Sequence, residues 1–240
     1  MCIRDSLQTV GDTVGPGGWN RALRNIPVFV RIAKAIEEYS DDAVVMNYSN
    51  PMALLTQALA ENCSLRVTGL CHGIFSAMDL FAALLAADKT KIQVEFGGTN
   101  HFFFITDVRV DGEPGYPILA DSLAGKTLGE YIHDLDVTGF EIYADMWVGS
   151  DFYHQYGYIP YPGDRHTCEF VSGYINEGPQ RLEECAIKRT SIDERVERNT
   201  KWIKQVDDYI AGRETFDRSR SRETAASIIE AVHTLSLIHI

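Results

Sequence analysis

A cysteine and a histidine, Cys71 and His101, each follow an apolar run and carry side chains that bind metal ions. A thiolate and an imidazole together suit a borderline-soft divalent metal such as Mn, Fe, Co, Ni or Zn. The runs at 65–70 and 92–96 have the patterns of strands, and neighbouring strands would bring both side chains to one edge of a sheet. A small buried cysteine and a core histidine are the alternatives, because neither residue belongs to a short C-x-x-C or H-x-x-x-H spacing.

The elements that would position these residues alternate between strands and helices. Residues 43–46 form a short, continuously apolar run, which is typical of a strand buried on both faces in a parallel sheet. Asn50 is a good helix cap before a proline, and a helix over 74–87 follows Cys71 and His72. The order strand–helix–strand–helix–strand predicts an α/β fold with a doubly wound parallel sheet. Because such sheets bind ligands at the carboxyl ends of their strands, Asn50, Cys71 and His72 are expected to face a ligand crevice.

The other elements carry fewer chemical signals. The G-P-G-G segment at 15–18 predicts a loop, and Pro27 predicts the first turn of a helix that follows it. The D-G pair at 111–112 is a strong signal for a hairpin turn. Residues 139–148 have a helical pattern, and the charged segment 179–211 predicts a solvated helix or a pair of helices.

Composition limits the classes of function. The chain has 240 residues, enough for one large domain or one and a half smaller ones, and its net charge of −12 argues against a general surface for nucleic acids or anionic membranes. No secretory signal is visible, and no apolar run reaches the ~18 residues that span a bilayer. Five cysteines without regular spacing favour a reduced, cytoplasmic protein. The segments 1–6 and 235–240 resemble translated sequencing adapters, so we expect non-native ends on a fragment of a longer protein.

Four segments together resemble glycoside hydrolase family 4, whose members are NAD- and metal-dependent glycosidases related to lactate and malate dehydrogenases. The segments are residues 21–28, the N-x-x-N-P-M turn at 47–52, the G-x-C-H segment at 69–72 and the G-x-N-H segment at 98–101. The resemblance implies the C-terminal half of a Rossmann-like NAD-binding domain over 7–98, followed by a partial α+β substrate and metal domain over 99–234. It also implies that the family's N-terminal glycine-rich NAD loop and the end of its C-terminal domain are missing.

The resemblance assigns roles to the residues at matching positions. Cys71 and His101 become the metal ligands, with Mn²⁺ as the usual ion. Asn50 and Asn100 become contacts to sugar hydroxyls, and Asn47 becomes a contact to the cofactor NAD.

A polar and aromatic stretch at 150–170 is expected to be a wall of the site or an oligomer contact, where tyrosine and arginine are enriched. The family's catalytic base is a tyrosine in this stretch. We place it at Tyr158, with Tyr156 and Tyr153 as alternatives. His72 is a candidate acid or polar contact for the departing group, and its alternative role is a hydrogen bond that orients the neighbouring cysteine.

The implied reaction is hydrolysis of an α-glycoside without net oxidation. NAD⁺ takes a hydride from the sugar C3, the tyrosine removes the C2 proton with the metal as Lewis acid, the leaving group is eliminated, water adds and the hydride returns. The segments 71–74 and 163–170 resemble the branch that cleaves α-D-galacturonides or glucuronides. Arg165 could pair bidentately with a uronate carboxylate, and a structural pair with Asp164 or Glu169 is the alternative.

Other functions stay open on the sequence alone. One is a neutral α-galactosidase or α-glucosidase on the same scaffold, another is a 2-hydroxy-acid dehydrogenase, and a third is a non-catalytic fragment that binds a sugar or a partner. The expected partner is a small-molecule glycoside, with no nucleic acid and no membrane, and the family resemblance implies a homodimer or homotetramer.

Overall fold

A computed structural model describes residues 8–40, 42–135, 146–175, 178–215 and 225–234. Both terminal segments that we expect to be non-native lie outside these residues, as does most of the helical pattern predicted just before the aromatic stretch. Within the described part of the chain, no helix combines the length and the apolar character that crossing a membrane requires.

Helices and strands are numbered here in chain order. The described helices are α1 (Gly15–Tyr39), α2 (Met52–Asn62), α3 (Gly73–Leu84), α4 (Gly115–Leu123), α5 (Leu128–Asp134), α6 (Trp147–Tyr156), α7 (Asp164–Phe170), α8 (Ser172–Ile175), α9 (Pro179–Glu184), α10 (Ile192–Ile210) and α11 (Ala225–Thr234). The strands are β1 (Val44–Asn47), β2 (Arg66–Gly69), β3 (Ile92–Thr99), β4 (Phe102–Val110) and β5 (Glu113–Pro114). A short 3₁₀ turn, Lys89–Lys91, precedes β3.

The first half of the chain forms the predicted parallel pair. β1 and β2 run parallel, in register from Val44 opposite Arg66 to Asn47 opposite Gly69, and α2 crosses between them. Gly69 allows the end of β2 to approach α2 closely, because a Cβ atom there would lie 2.2 Å from the Met52 sulfur. The α/β class predicted from the sequence is confirmed.

The strand before His101 does not join this sheet, and that part of the sequence prediction is wrong. β3 pairs antiparallel with β4, and Thr99 opposite Phe102 leaves Asn100 and His101 as a two-residue turn. A connection this short can only join antiparallel strands, since a parallel crossover needs a dozen or more residues. Cys71 and His101 therefore lie at the ends of strands in two different sheets.

Two further expectations about the N-terminal region need correction. Residues 15–18 form the first turn of α1 and not a loop, because Pro16 suits the start of a helix. Pro27 lies inside α1 and not at its beginning. It lies on the exposed side near Leu23, whose carbonyl loses its helical partner there and can be hydrated. By contrast, the turn at 111–112 is confirmed, since it joins β4 to β5 with positive φ at both residues.

The main apolar core lies between β4, α3 and α4. Its fully buried members include Phe81, Ile105, Val108 and Leu119. A smaller apolar cluster joins α6, α7 and α9 beside it. The charged segment after residue 178 forms two helices, as the sequence predicted, and the apolar stripe of α10 is exposed whereas Leu182 of α9 is buried.

A short extended segment at 159–161 aligns the aromatic stretch with β4. The Ile105 amide donates to the Ile159 carbonyl at 2.9 Å, and the Tyr161 amide donates to the Phe103 carbonyl at 2.7 Å. The Tyr116 hydroxyl reinforces this pairing because it donates to the Ile105 carbonyl at 2.6 Å and accepts from the Ile159 amide at 3.1 Å. This register brings Tyr161 to the end of β4 where the strand begins beside His101.

Candidate active site

His101 is the centre of a buried polar site at the β3–β4 turn. It adopts a left-handed backbone conformation with φ of 63° and is 7% exposed. Two aromatic rings contact its imidazole, those of Tyr161 at 5.3 Å and His166 at 4.2 Å between ring centroids. Burial lowers the pKa of His101, so its imidazole is neutral at pH 7 and keeps one lone pair for a ligand.

Three residues around this point have the geometry of a metal site. Asp12, His101 and His166 each offer one ligand atom, and these atoms lie within 4.8 Å of one another. The Nδ1 atom of His166 is buried and has no hydrogen-bond partner among the residues that the structure describes. Burial, followed by the proximity of His101, lowers the pKa of His166, so this imidazole is also neutral near pH 7 and keeps one lone pair. A mixed set of imidazole and carboxylate ligands fits a divalent first-row metal, Mn²⁺ included.

The segment that carries Asp12 is tied down by the α7 residue Glu169. Its Oε1 atom accepts hydrogen bonds from the amides of Val10 at 2.7 Å and Gly11 at 2.8 Å, and from the Thr9 hydroxyl at 3.1 Å. The single proton of the Thr9 hydroxyl is shared between this oxygen and the backbone carbonyl of Arg165 in α7. Burial raises the pKa of Glu169 while these hydrogen bonds oppose the rise. The N-terminal segment and α7 therefore form one rigid wall of the site.

Cys71 belongs to the opposite wall, at the end of β2. Its sulfur accepts a long hydrogen bond of 3.4 Å from the Gly73 amide at the start of α3. The Tyr161 ring lies against Gly73, since a Cβ atom there would be 2.4 Å from the ring. Tyr161 thus contacts both the segment that carries Cys71 and the imidazole of His101. The group of three ligand atoms found among the described residues does not include Cys71, whose role as a ligand stays a prediction.

The turn after β1 contacts the residue that follows Cys71. The rings of Tyr48 and His72 stack with centroids 5.4 Å apart and an interplanar angle of 20°. Asn47 is buried, and its amide nitrogen donates to Thr56 at 3.0 Å while its oxygen accepts from the Ser49 amide at 2.8 Å.

Asn47 therefore holds the turn after β1 in shape, and its contact to NAD stays a prediction. Asn50, predicted to bind sugar, is half-buried in the same turn. It does not cap α2 with its side chain, because Pro51 occupies the capping position.

Two predicted substrate contacts have unsatisfied buried atoms. The Asn100 Oδ1 and the Arg165 Nε are both buried without a hydrogen-bond partner among the described residues. The two acids that the sequence offers as partners of Arg165 have other contacts. Asp164 accepts from the amides of Val148 and Gly149 at the start of α6, and Glu169 accepts from the amides of the N-terminal segment. An unpaired buried polar group is costly, and a bound polar ligand is one way to satisfy it.

The tyrosines predicted as the base lie around a different ring. Tyr158 packs edge-on against Tyr116 at 5.9 Å and is 44% exposed, while Tyr153 stacks on the same ring at 6.1 Å. Burial raises the pKa of Tyr153. Tyr156 is exposed and contacts Phe152. Of the tyrosines that the structure describes in this stretch, Tyr161 is the one whose ring contacts His101, and the sequence did not single it out.

Comparisons with known proteins support the resemblance seen in the sequence. The profile described as family 4 glycosyl hydrolase matches residues 2–87, and that of the family's C-terminal domain matches residues 96–237. An alpha-galactosidase of Bacillus subtilis (strain 168) is 33% identical over 95% of this chain and 50% of its own length. An alpha-galacturonidase of Thermoanaerobacter italicus is 32% identical over 94% of this chain and 51% of its own length. The chain thus spans about half the length of these relatives.

Solved structures agree with the fold. The superposition on the crystal structure of the lplD protein of Bacillus subtilis covers 95% of this chain and 54% of the lplD chain, with a TM-score of 0.80 and 29% identity. A 6-phospho-alpha-glucosidase from gut microorganisms was solved in complex with NAD and Mn²⁺. Its superposition covers 92% of this chain and 49% of the glucosidase chain, with a TM-score of 0.63 and 21% identity. The chain therefore belongs to family 4 of the glycosyl hydrolases.

Proposed function

We propose that this protein is an α-glycosidase that uses NAD and a divalent metal, with α-D-galacturonides or α-D-glucuronides as its substrates. The observation that carries the proposal is the group of Asp12, His101 and His166, of which His101 is buried and the other two are half-buried. This group has the ligand chemistry of a divalent metal and lies beside a tyrosine ring. The relatives named alpha-galacturonidase and alpha-galactosidase support an α-linked sugar. The solved relative that contains NAD and Mn²⁺ supports the cofactors.

The metal would be held by His101, with Cys71 as the second predicted ligand and His166 as a further nitrogen ligand. Neutral imidazoles and a thiolate suit this task, and both histidines have lowered pKa values. When bound, NAD would exchange a hydride with the sugar C3 and the metal would stabilise negative charge at the neighbouring oxygens as a Lewis acid. The residues of this chain then have to bind the sugar, orient it and move the C2 proton.

We propose a tyrosine as the group that takes the C2 proton, and two candidates compete. Tyr158 is the prediction from the family resemblance, with Tyr156 and Tyr153 as its alternatives. Tyr161 is favoured by its contact with His101, because a base must reach a proton next to the metal-bound oxygens. A phenol beside a cation also has a lowered pKa, which makes it a better base at neutral pH.

The paired variants Tyr161→Phe and Tyr158→Phe separate these candidates. The base variant loses exchange of the sugar C2 proton with solvent and keeps metal binding, whereas the other variant keeps both. Loss of exchange in Tyr158→Phe alone would return the role to the residue predicted from the family.

Substrate contacts are proposed for Arg165, Asn100 and Asn50. The Arg165 Nε and the Asn100 Oδ1 are buried and have no partner in the described part of the chain, so a uronate carboxylate and a sugar hydroxyl would satisfy them. His72 is proposed as the acid for the departing group, and its stacking on Tyr48 would fix the ring for that step. The alternative role of His72 is a hydrogen bond that orients Cys71.

A panel of substrates tests the proposal. The protein, supplied with NAD⁺ and Mn²⁺, is assayed on the α-galacturonide, the α-glucuronide, the α-galactoside and the α-glucoside of one chromogenic aglycone. Preference for a uronide that falls at least 10-fold in Arg165→Gln supports the uronate assignment. Equal turnover of the neutral galactoside would favour the second candidate function, an α-galactosidase, which the 33% identical Bacillus subtilis relative supports. Accumulation of NADH in proportion to substrate would indicate a dehydrogenase.

Cys71→Ser distinguishes the enzyme from a binding fragment. The proposal expects loss of metal affinity and of activity in this variant. A non-catalytic sugar-binding fragment would instead bind sugar equally well with and without the substitution. A cytoplasmic location and a homodimer or homotetramer stay predictions of the family resemblance.

A further inference from the structure

We propose that Thr13 is a positioning residue that sets the tautomer of the metal-binding His101, and that Asp12 acts through Thr13 and not as a direct ligand. The inference rests on the proposed metal site at His101. It concerns an outer layer of hydrogen bonds that controls which imidazole nitrogen is available to the cation. In known metal sites such partners fix the orientation of a histidine ligand and raise its basicity.

The Thr13 hydroxyl lies between the carboxylate and the imidazole. Its Oγ1 atom is 3.0 Å from Asp12 Oδ1 and 2.8 Å from His101 Nδ1. A hydroxyl has one proton to donate and can accept two hydrogen bonds. An ionised carboxylate can only accept, so the hydroxyl proton points to Asp12 and a lone pair of Thr13 faces the imidazole.

This direction of the hydrogen bonds determines the tautomer of His101. A histidine binds a metal ion as the neutral imidazole, which carries one N–H group and one lone pair. With Thr13 accepting at Nδ1, the proton sits on that nitrogen. The Nε2 lone pair is then left for a metal ion.

The surroundings of Asp12 agree with an outer role. Its Oδ1 accepts from Thr13, and its Oδ2 lies 3.7 Å from the Arg21 guanidinium on α1. Both carboxylate oxygens thus already face donors of this chain. The alternative is direct binding, since Asp12 has an oxygen within 4.8 Å of the ligand atoms of the two histidines.

The backbone around Thr13 is held from two sides. On one side, Glu169 anchors the preceding residues Val10 and Gly11. On the other side, Gly18 in the first turn of α1 packs so closely that a Cβ atom there would lie 2.5 Å from the carbonyl carbon of Thr13. A hydroxyl held at both ends in this way is preorganised for a fixed hydrogen bond to His101.

Manganese affinity without substrate or NAD is the test, measured by calorimetry and by the electron paramagnetic resonance signal of free Mn²⁺. Thr13→Val keeps the shape of the side chain and removes the hydroxyl, and we expect its Kd for Mn²⁺ to rise by about 10- to 100-fold. Thr13→Ser retains a hydroxyl, and its Kd for Mn²⁺ should stay within about 3-fold of the wild-type value. His101→Ala should abolish binding, and Asp12→Asn should weaken it by less than the valine variant, because an amide oxygen can still accept from Thr13.

Two results would overturn the inference, and a third would overturn the proposed function on which it rests. Thr13→Val with wild-type affinity, beside a loss of 10-fold or more in Asp12→Asn, would make Asp12 a direct ligand. Nitrogen-15 NMR of the metal-free protein must show the proton of His101 on Nδ1, and a proton on Nε2 would contradict the relay even if the valine variant fails to fold. Absence of Mn²⁺ binding in the wild-type protein would overturn the proposed function itself, and the NMR result would still report on the hydrogen bonds.

Discussion

Replacement of Glu169 by alanine is expected to destabilise the protein and loosen the metal site together. The Glu169 Oε1 accepts hydrogen bonds from the amides of Val10 and Gly11, and it shares the proton of the Thr9 hydroxyl with the Arg165 carbonyl. Each buried donor that loses its acceptor costs about 1–3 kcal/mol, and water that enters the space left by the side chain recovers part of this. Because two amides lose their acceptor while Thr9 keeps the carbonyl, we expect Glu169→Ala to lower the free energy of unfolding by about 2 kcal/mol or more.

Glu169→Gln separates the hydrogen bonds from the charge. The glutamine oxygen can occupy the Oε1 position and keep all three donors paired, so the loss should be about 1 kcal/mol or less at pH 7. The pKa of Glu169 is raised by burial from 4.5, so the folded state holds this proton at a pH where the unfolded chain has released it. Stability from this group therefore falls as the pH rises above 4.5, and the glutamine variant should gain relative to wild type over that window.

Urea unfolding monitored by circular dichroism measures these differences, with the exposed Glu113→Ala as the matched control. The control should lie within about 0.5 kcal/mol of the wild-type protein. Hydrogen exchange at the amides of Val10 and Gly11 should accelerate in Glu169→Ala and stay slow in the control. A free energy of unfolding for Glu169→Ala within about 0.5 kcal/mol of wild type would refute the reasoning, because the hydrogen bonds from the Val10 and Gly11 amides would then contribute nothing.

Three further predictions concern the same region. Burial lowers the pKa of His166, so its contribution to stability is present above pH 6.5 and is lost as the pH falls below 6.5. The temperature of thermal unfolding should therefore depend less on pH between about 7 and 5 in His166→Asn than in the wild-type protein. An unchanged pH dependence would contradict this. Gly73→Ala would place a methyl group 2.4 Å from the Tyr161 ring, so it should lower the free energy of unfolding in urea by about 1–3 kcal/mol although alanine favours helices. The control Gly173→Ala should be harmless, because nothing lies within 4 Å of a Cβ atom there. Equal effects of the two substitutions would exclude the contact between Gly73 and Tyr161. Tyr116→Phe removes a hydroxyl that bridges two backbone groups, so the free energy of unfolding should fall. A fall of less than about 0.5 kcal/mol would show that this bridge does not hold the 159–161 segment in place.

The local parts of the fold could be predicted from the sequence because local signals determine them. The apolar run at 43–46, the turn before α2 and the segment after β2 were each recognisable from patterns of a few residues. The D-G pair at 111–112 fixed a turn by its demand for positive φ. The same kind of signal did not reveal the pairing of β3, since an alternating strand fits either sheet until its partner is known.

The candidate site was only partly predictable because its members come from distant parts of the chain. His101 was identified from its motif, but the hydrogen bond from Thr13 joins residues separated by 88 positions. His166 lies next to the predicted Arg165, and no spacing pointed to it as a ligand. Tyr161 enters the site through the register of its segment beside β4, which a single sequence does not encode in a readable pattern.

The central claim, that the sugar is cleaved through removal of its C2 proton beside a metal at His101, is tested most directly by hydrolysis in D₂O. The protein, supplied with NAD⁺ and Mn²⁺, is incubated with an α-galacturonide, and the released sugar is analysed by mass spectrometry and proton NMR. We expect one deuterium at C2 in the product of the wild-type protein and no product from His101→Ala. Rapid hydrolysis that leaves the C2 proton in place would show direct displacement by water and contradict the account.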